Sequence, residues 1–348
     1  MLLIERAIGR VVKVILQADD SDGMIGDVAR ELLDLHAQAC DASVADPVKL
    51  ARWMVRFCFH DQDFFEVDPV RYASALGDLG LAAYRREVSA RREMGDHSFA
   101  AKYATERLAI LDGDVDTIVV LLGGQFDRPY DFIRVAEAME ELGRDDDVLH
   151  WARRGIAETS GWQVAQLYDL AAGIQSRRGE NQVLLQLRSD QHHRMPSARS
   201  YDLLRQAAER VGVWQSEREA ARAVLAEHDR SGLVDVLLAD HEPDAAWEVA
   251  TAEPDWNVGE RRWIRLAEAR EDEHPDDALK VYLRLADREL ETTGRAAYTR
   301  ATKILKRAAR VAASADRTTE FTEHMRMLRD QGRRRPTLIA MLDKAGLG

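Results

Sequence analysis

The chain is poor in cysteine, proline and uninterrupted apolar sequence. Two cysteines in 348 residues, Cys40 and Cys58, cannot build a disulfide framework, and a reducing cytoplasm fits them. Eight prolines leave long stretches free to coil, because each proline inside a helix removes an N–H and clashes with the preceding turn. The period-two alternation of a half-buried strand is almost absent. No apolar run reaches the roughly 18 residues of a membrane span. Residues 2–16 come nearest, but Glu5, Arg6, Arg10 and Lys13 interrupt them and no cleavage site follows. The segment therefore reads as neither signal peptide nor span; Ile4, Ile8, Val11, Val12 and Ile15 make one helical stripe instead. No Gly/Ser linker divides the chain. Phosphate-cradling glycine loops, zinc-protease helices and nucleophile elbows are missing, and Gly123-Gly124 alone reads as a helix break.

What is present favours helix. Ala, Leu, Arg and Glu dominate, and all four are strong helix formers. Hydrophobic residues at 46% and charged residues at 32% allow both a core and a well-solvated surface. The net charge of −12 argues against wholesale nucleic-acid binding, but it is unevenly spread. From Gly294 onward thirteen bases face five acids, or +8, which leaves −20 to the rest. An acidic body with a basic tail follows.

The centre of the chain repeats. An aromatic residue is followed eleven positions later by glycine three times: Phe132 and Gly143, Tyr168 and Gly179, Tyr201 and Gly212. The glycines stand 36 and 33 residues apart, close to the ~34-residue period of tetratricopeptide hairpins. The aromatic packs from a first helix, small residues such as Val135, Ala136, Ala171 and Ala172 admit a close neighbour, and the glycine supplies a left-handed cap. Val148, Trp151, Ala152 and Ile156, then Leu184 and Leu187, then Trp214, Ala221 and Leu225 mark the second helices. Weaker copies flank them at Tyr103 to Gly113 and at Trp263 to Tyr282. The expected fold is all-α, a right-handed superhelix of antiparallel hairpins, that is, a tetratricopeptide-like α-solenoid. Residues 1–95 form a less regular helical part, 96–290 the repeats, and 291–348 basic helices that cap the open end.

Local signals place the other elements. Asp46-Pro47 caps and starts a helix with Leu50, Trp53, Met54 and Phe57 inward. The run around Asp20 fails as a calcium loop, since Ala18 and Ala29 would occupy ligand positions; it reads as a turn and cap before a helix from Met24 with Val28, Leu32, Leu35, His36 and Ala39 on one face. Asp68-Pro69 should open a helix that Gly77 and Gly80 break. Residues 254–257 read as a turn. Ala296 begins a long helix with Tyr298, Ile304, Leu305 and Ala308 inward.

Several stretches of the first third, 18–23 with 32–40, and 72–77 with 80–86, resemble bacterial SWIM zinc-finger family proteins, as do Gly143-Arg144-Asp145-Asp146, Trp151-Ala152 and Gly155 further on. The resemblance implies a tetratricopeptide-like scaffold. It also implies protein or nucleic-acid association through a finger built from Cys-x-Cys and Cys-x-His. This chain has no Cys-x-Cys, and Cys58-Phe59-His60 lies inside the helical region. The expectation is a helical fragment of a larger protein or a relative without the finger. The scaffold is carried over and the zinc site is not.

The chemistry-bearing residues have structural readings. His36, Cys40, Cys58 and His60 are zinc-ligand types, yet buried core residues explain them, and no metal or cofactor is expected. His192-His193 reads as a cation at a helix C-terminus. The carboxylates at 61, 63, 66, 68 and 145–147 precede or begin helices, where they satisfy free N–H groups. The expected function is therefore a non-catalytic scaffold for a protein or peptide, with no membrane association. Two surfaces are the candidate contacts: the acidic-aromatic stretch Asp61, Asp63, Phe64, Phe65 and Glu66, and the basic residues Arg300, Lys303, Lys306, Arg307, Arg310, Arg333, Arg334 and Arg335. The second set also supports an alternative, an accessory nucleic-acid-associated module working through phosphate contacts.

Overall fold

A computed structural model describes residues 2–15, 17–18, 20, 23–42, 46–62, 64–253 and 258–347. Among these the protein is all-α: nineteen α-helices, one short π-helical segment and no strand. No described helix is long and apolar enough to cross a membrane. The chain forms two compact units, residues 1–178 and 179–348.

The N-terminal unit holds α1 (Leu2–Ile15), α2 (Met24–Asp41), α3 (Pro47–Arg56), the π segment Phe57–Asp61, α4 (Ala73–Glu93), α5 (Phe99–Asp112), α6 (Val115–Leu122), α7 (Pro129–Glu141), α8 (Asp145–Glu158) and α9 (Val164–Arg177). Several of its starts follow from capping chemistry. Asp46 accepts from the N–H groups of Val48 and Lys49 at 3.1 and 3.2 Å, with Pro47 in the first turn. Asp20 caps α2 through Ile25 and Gly26 at 2.8 and 2.9 Å, as a turn-and-cap reading requires. Ile8, Leu50, Met54, Leu76 and Tyr84 share one core, and Phe132, Met139, Val148 and Tyr168 are buried further along.

Three local expectations need correction here. Asp68-Pro69 opens a turn and not a helix, with Asp68 Oδ1 accepting from the Val70 N–H at 3.0 Å and the carboxylate also held by Arg107 at 2.7 and 2.9 Å; α4 begins at Ala73. Gly77 does kink α4, with φ +49°, but Gly80 stays helical. A Cβ at Gly80 would lie 2.8 Å from the Pro47 carbonyl oxygen, so this glycine lets α3 and α4 approach. On α2 the buried side is Gly26, Ala29, His36, Ala37 and Cys40, while Val28 and Leu35 are exposed. Leu32 of the expected face does pack against the core, together with Leu33.

The C-terminal unit runs α10 (Asn181–Arg194), α11 (Ala198–Arg210), α12 (Trp214–His228), α13 (Arg230–Ala239), α14 (Pro243–Thr251), α15 (Glu260–Arg270), α16 (Pro275–Glu291), α17 (Arg295–Ser314), α18 (Thr318–Gln331) and α19 (Pro336–Lys344). Chain neighbours pack together, α10 on α11, α13 on α14, and α15 and α17 on α16. Tyr201, Leu225, Leu266, Tyr282, Leu305 and Leu342 are buried between them. The turn expected at 254–257 lies outside the described residues.

All three repeat aromatics are buried, and Gly143, Gly179 and Gly212 have φ of +69°, +69° and +75°. Behind Gly143 the Arg144 N–H reaches Met139 O at 2.9 Å, and behind Gly212 the Val213 N–H reaches Ala208 O at 3.0 Å, closing the helix end as a Schellman cap does. The unit boundary separates the helices of the second expected repeat: Tyr168 lies on α9, which packs on α7 and α8, and Leu184 on α10, which packs on α11. At Gly179 no atom stands within 4 Å of an added Cβ, so only backbone strain opposes a side chain. Gly179→Val should cost about 1 kcal/mol. An unchanged urea midpoint would contradict the left-handed cap.

Candidate partner-binding site

The N-terminal unit carries an open cleft of about 460 Å³ lined by residues of α5, α6 and α7, within the size range of ligand sites. Ser98 starts α5 by accepting from the Ala101 N–H at 3.3 Å, and Pro129 starts α7. These caps place Phe99 and Tyr130 near the helix N-termini, where both rings stay at least half exposed. Phe99 stacks on Tyr103, centroids 6.4 Å apart at 22°. One turn further along α5 the Glu106 side chain is buried, and Arg134 of α7 reaches its Oε2 at 2.6 Å. Arg134 also lies over the Tyr130 ring at 5.8 Å. Arg107 bridges Asp68 and, at 2.7 Å, Glu141. The cleft thus joins accessible aromatic area to a row of charges. It contains none of the residues expected as contacts. Phe99, Tyr103, Glu106 and Ile110 do share one helical face by spacing, but that spacing reads equally well as core.

The acidic-aromatic stretch behaves differently along its length. Asp63 and the side chain of Asp61 lie outside the described residues. Gln62 folds the chain back: its amide donates to Phe57 O and Phe65 O at 3.2 and 2.6 Å, and its Oε1 accepts from the Phe64 and Phe65 N–H groups at 2.6 Å. Phe65 is consequently buried, with the Arg30 guanidinium 5.9 Å from its ring, whereas Phe64 points out. Burial raises the Glu66 carboxyl above its ordinary range.

In the C-terminal unit, most of the α17 arginines are matched by acids. Arg300 pairs with Glu289 at 2.8 Å, Arg310 with Glu271 at 2.8 Å, and Arg307 with Glu268. The stripe expected on this helix therefore meets α15 and α16, while Lys303 and Lys306 remain exposed. Arg333 pairs with Asp330 at 2.6 Å, Arg334 is exposed, and Arg335 donates to Leu290 O at 2.7 Å, tying the start of α19 to α16. Such exposed pairs contribute about 0–1 kcal/mol each, but they lower the charge on offer to a phosphate.

The zinc-type residues of the N-terminal unit serve the core. His36 Nδ1 is 3.1 Å from the Tyr72 hydroxyl, Nε2 is 3.4 Å from Glu5, and the ring lies 4.3 Å from Trp53. Cys58 Sγ accepts from the Val67 N–H at 3.2 Å. Burial pushes the Cys40 and Cys58 thiols up to about 11 and about 12, so neither offers a thiolate near neutral pH. The side chain of His60 lies outside the described residues. In the C-terminal unit, Asp244, Glu273 and His274 cluster at the surface, with Arg270 already paired to Asp244.

His192 departs from its expected role. It is not a surface cation at a helix end but a buried joint, 2.9 Å from Ser200 Oγ through Nδ1 and 2.9 Å from Ala221 O through Nε2. Burial holds both His36 and His192 below the ordinary histidine range. The unfolded chain takes these protons near pH 6.5 and the native fold only at lower pH. Stability is thus complete above pH 6.5 and falls as pH drops below it, by about 1.4 kcal/mol per pH unit for each histidine until its native value is reached. Urea midpoints at pH 7.5 and 5.5 check this, and equal midpoints would refute it.

Compared with protein-family models and with curated proteins, the chain matches none.

Proposed function

We propose that this protein is a non-catalytic helical-repeat scaffold, a tetratricopeptide-like solenoid, that holds a protein or peptide partner in the α5–α7 cleft. One observation carries the reading: Phe99 and Tyr130 remain exposed at 68% and 50% beside a cleft between the first helices of successive hairpins. Exposed rings next to a groove are the usual anchors of recognition, and repeat scaffolds offer such grooves because each hairpin touches only its neighbours. Two cysteines in the chain fit a reducing cytoplasmic setting, and the sequence stretches that resemble SWIM zinc-finger family proteins fit such a scaffold.

Selection from a randomised dodecapeptide display library against the folded chain tests the proposal. Enriched sequences should bind wild type and lose at least fivefold in affinity to Phe99→Ala and Tyr130→Ala, with unchanged thermal melts. No enrichment, or enrichment indifferent to both changes, would overturn it.

A nucleic-acid-associated role is the second reading, favoured by the exposure of Lys303, Lys306 and Arg334. Binding of a 20-nucleotide DNA or RNA at low salt, weakened by Lys303→Gln with Lys306→Gln, would support it over the scaffold.

A further inference from the structure

The same cleft sets three acids, Glu106, Glu137 and Glu141, against Lys102, Arg107 and Arg134, and still leaves one carboxylate oxygen without a donor. Glu106 is only 7% exposed, and while Arg134 holds its Oε2, its Oε1 is buried without a hydrogen-bond partner. A buried carboxylate oxygen with no donor is costly to desolvate, so such atoms point to an absent partner. Glu137, one turn beyond Arg134 on α7, is exposed and accepts only from the neutral amide of Gln166, at 2.7 Å. The other deep cation, Arg107, is committed to Asp68 and Glu141. Three aromatic rings line the same cleft, the stacked Phe99 and Tyr103, and Tyr130, which already faces one guanidinium. Aromatic faces with carboxylates beside them suit a positive charge on an apolar stem: the rings attract the cation through their quadrupoles, the stem covers their apolar area, and the carboxylates supply charge-assisted hydrogen bonds.

We infer that the cleft receives a lysine or arginine side chain of a partner peptide, its charge on the exposed Glu137 carboxylate beside the half-satisfied Glu106 and its stem against Phe99 and Tyr130. A peptide is favoured over a free small cation because the cleft is open and Phe99 and Tyr130 keep at least half their surface exposed, which leaves apolar area for residues flanking the base. This inference rests on the scaffold reading and narrows it to a basic partner.

The test uses the whole chain with fluorescein-labelled hexalysine and hexaglutamate peptides, read by anisotropy at 150 mM salt. Hexalysine should bind and hexaglutamate should not. Glu106→Gln and Glu137→Gln should each weaken hexalysine at least tenfold, and Tyr130→Ala about threefold or more. The double change Asp272→Asn with Glu273→Gln, which removes two negative charges in the other unit, should leave affinity unchanged. Glu137 and Tyr130 are exposed, so their variants keep the test sound if Glu106→Gln fails to fold. Equal weakening by the Asp272 and Glu273 changes, or no weakening by Glu137→Gln and Tyr130→Ala, would overturn the inference. Display peptides that need Tyr130 but carry no excess of Lys or Arg would refute the cation site and leave the scaffold standing; a display that enriches nothing would remove both.

Discussion

Phe132→Ala should lower the stability of the N-terminal unit by about 3–5 kcal/mol, the range for deleting a fully buried aromatic ring. Phe132 has no exposed surface. Its ring lies 4.9 Å from Phe126 and 6.4 Å from Trp151, and such aromatic neighbours add to the area term. Close-packed helices on several sides hinder collapse into the space a methyl would leave, so a cavity term adds to the transfer term. Equilibrium urea denaturation followed by circular dichroism, with Trp151 fluorescence as a local probe, measures the loss. A loss below about 1.5 kcal/mol, the scale of a tolerated volume-conserving swap, would mean that this aromatic does not anchor its hairpin.

The opposite error in volume, Gly155→Val, should cost about 3 kcal/mol, near the upper end for overpacking. Gly155 is buried within α8. An added Cβ would stand 2.6 Å from Leu167 Cδ1 and 2.7 Å from Phe132 Cβ. Both neighbours belong to the core, on α9 and α7, so neither can swing into solvent. The two changes share one site and should not add. The methyl groups of the introduced valine enter part of the space vacated by the Phe132 ring, and the double variant should be more stable than the sum of the single losses by about 1 kcal/mol. Strict additivity would show that the contact is not shared. Gly80→Ala makes a smaller version of the same test against the Pro47 carbonyl.

Read together, these sites show what the repeat pattern encoded. The recurring aromatic and the cap glycine eleven residues on were visible by spacing, and Gly143 and Gly212 close their helices within a few residues along the chain. Gly155 and Gly80 were not legible in the same way. A helical glycine is ambiguous in sequence, because its meaning depends on which backbone or side chain lies against it. Gly80 read as a break and proved to be a close approach.

The candidate site was less legible than the fold. Phe65 sat in a stretch marked as surface, yet the Gln62 hydrogen bonds turn it inward. Phe99 carried no mark and is exposed. Arg300, Arg307 and Arg310 read as a stripe open to phosphate, yet Glu289 of α16, Glu268 of α15 and Glu271 just past α15 pair with them. His192 read as a helix-end cation and is a buried neutral joint.

The sequence by itself determined the helical class, starts such as that of α3 at Asp46-Pro47, and the left-handed glycine ends, because caps, turn conformations and periodicity act between residues a few positions apart. Tertiary packing decided which rings face the solvent, which arginines are neutralised and where a carboxylate is left short of a partner. Those outcomes rest on contacts between distant parts of the chain: Arg134 with Glu106 across 28 positions, Arg107 with Asp68 across 39, and Arg310 with Glu271 across 39. The α5–α7 cleft exists only where such pairs meet, which is why its aromatic rim and its half-satisfied Glu106 have no signature in the order of residues.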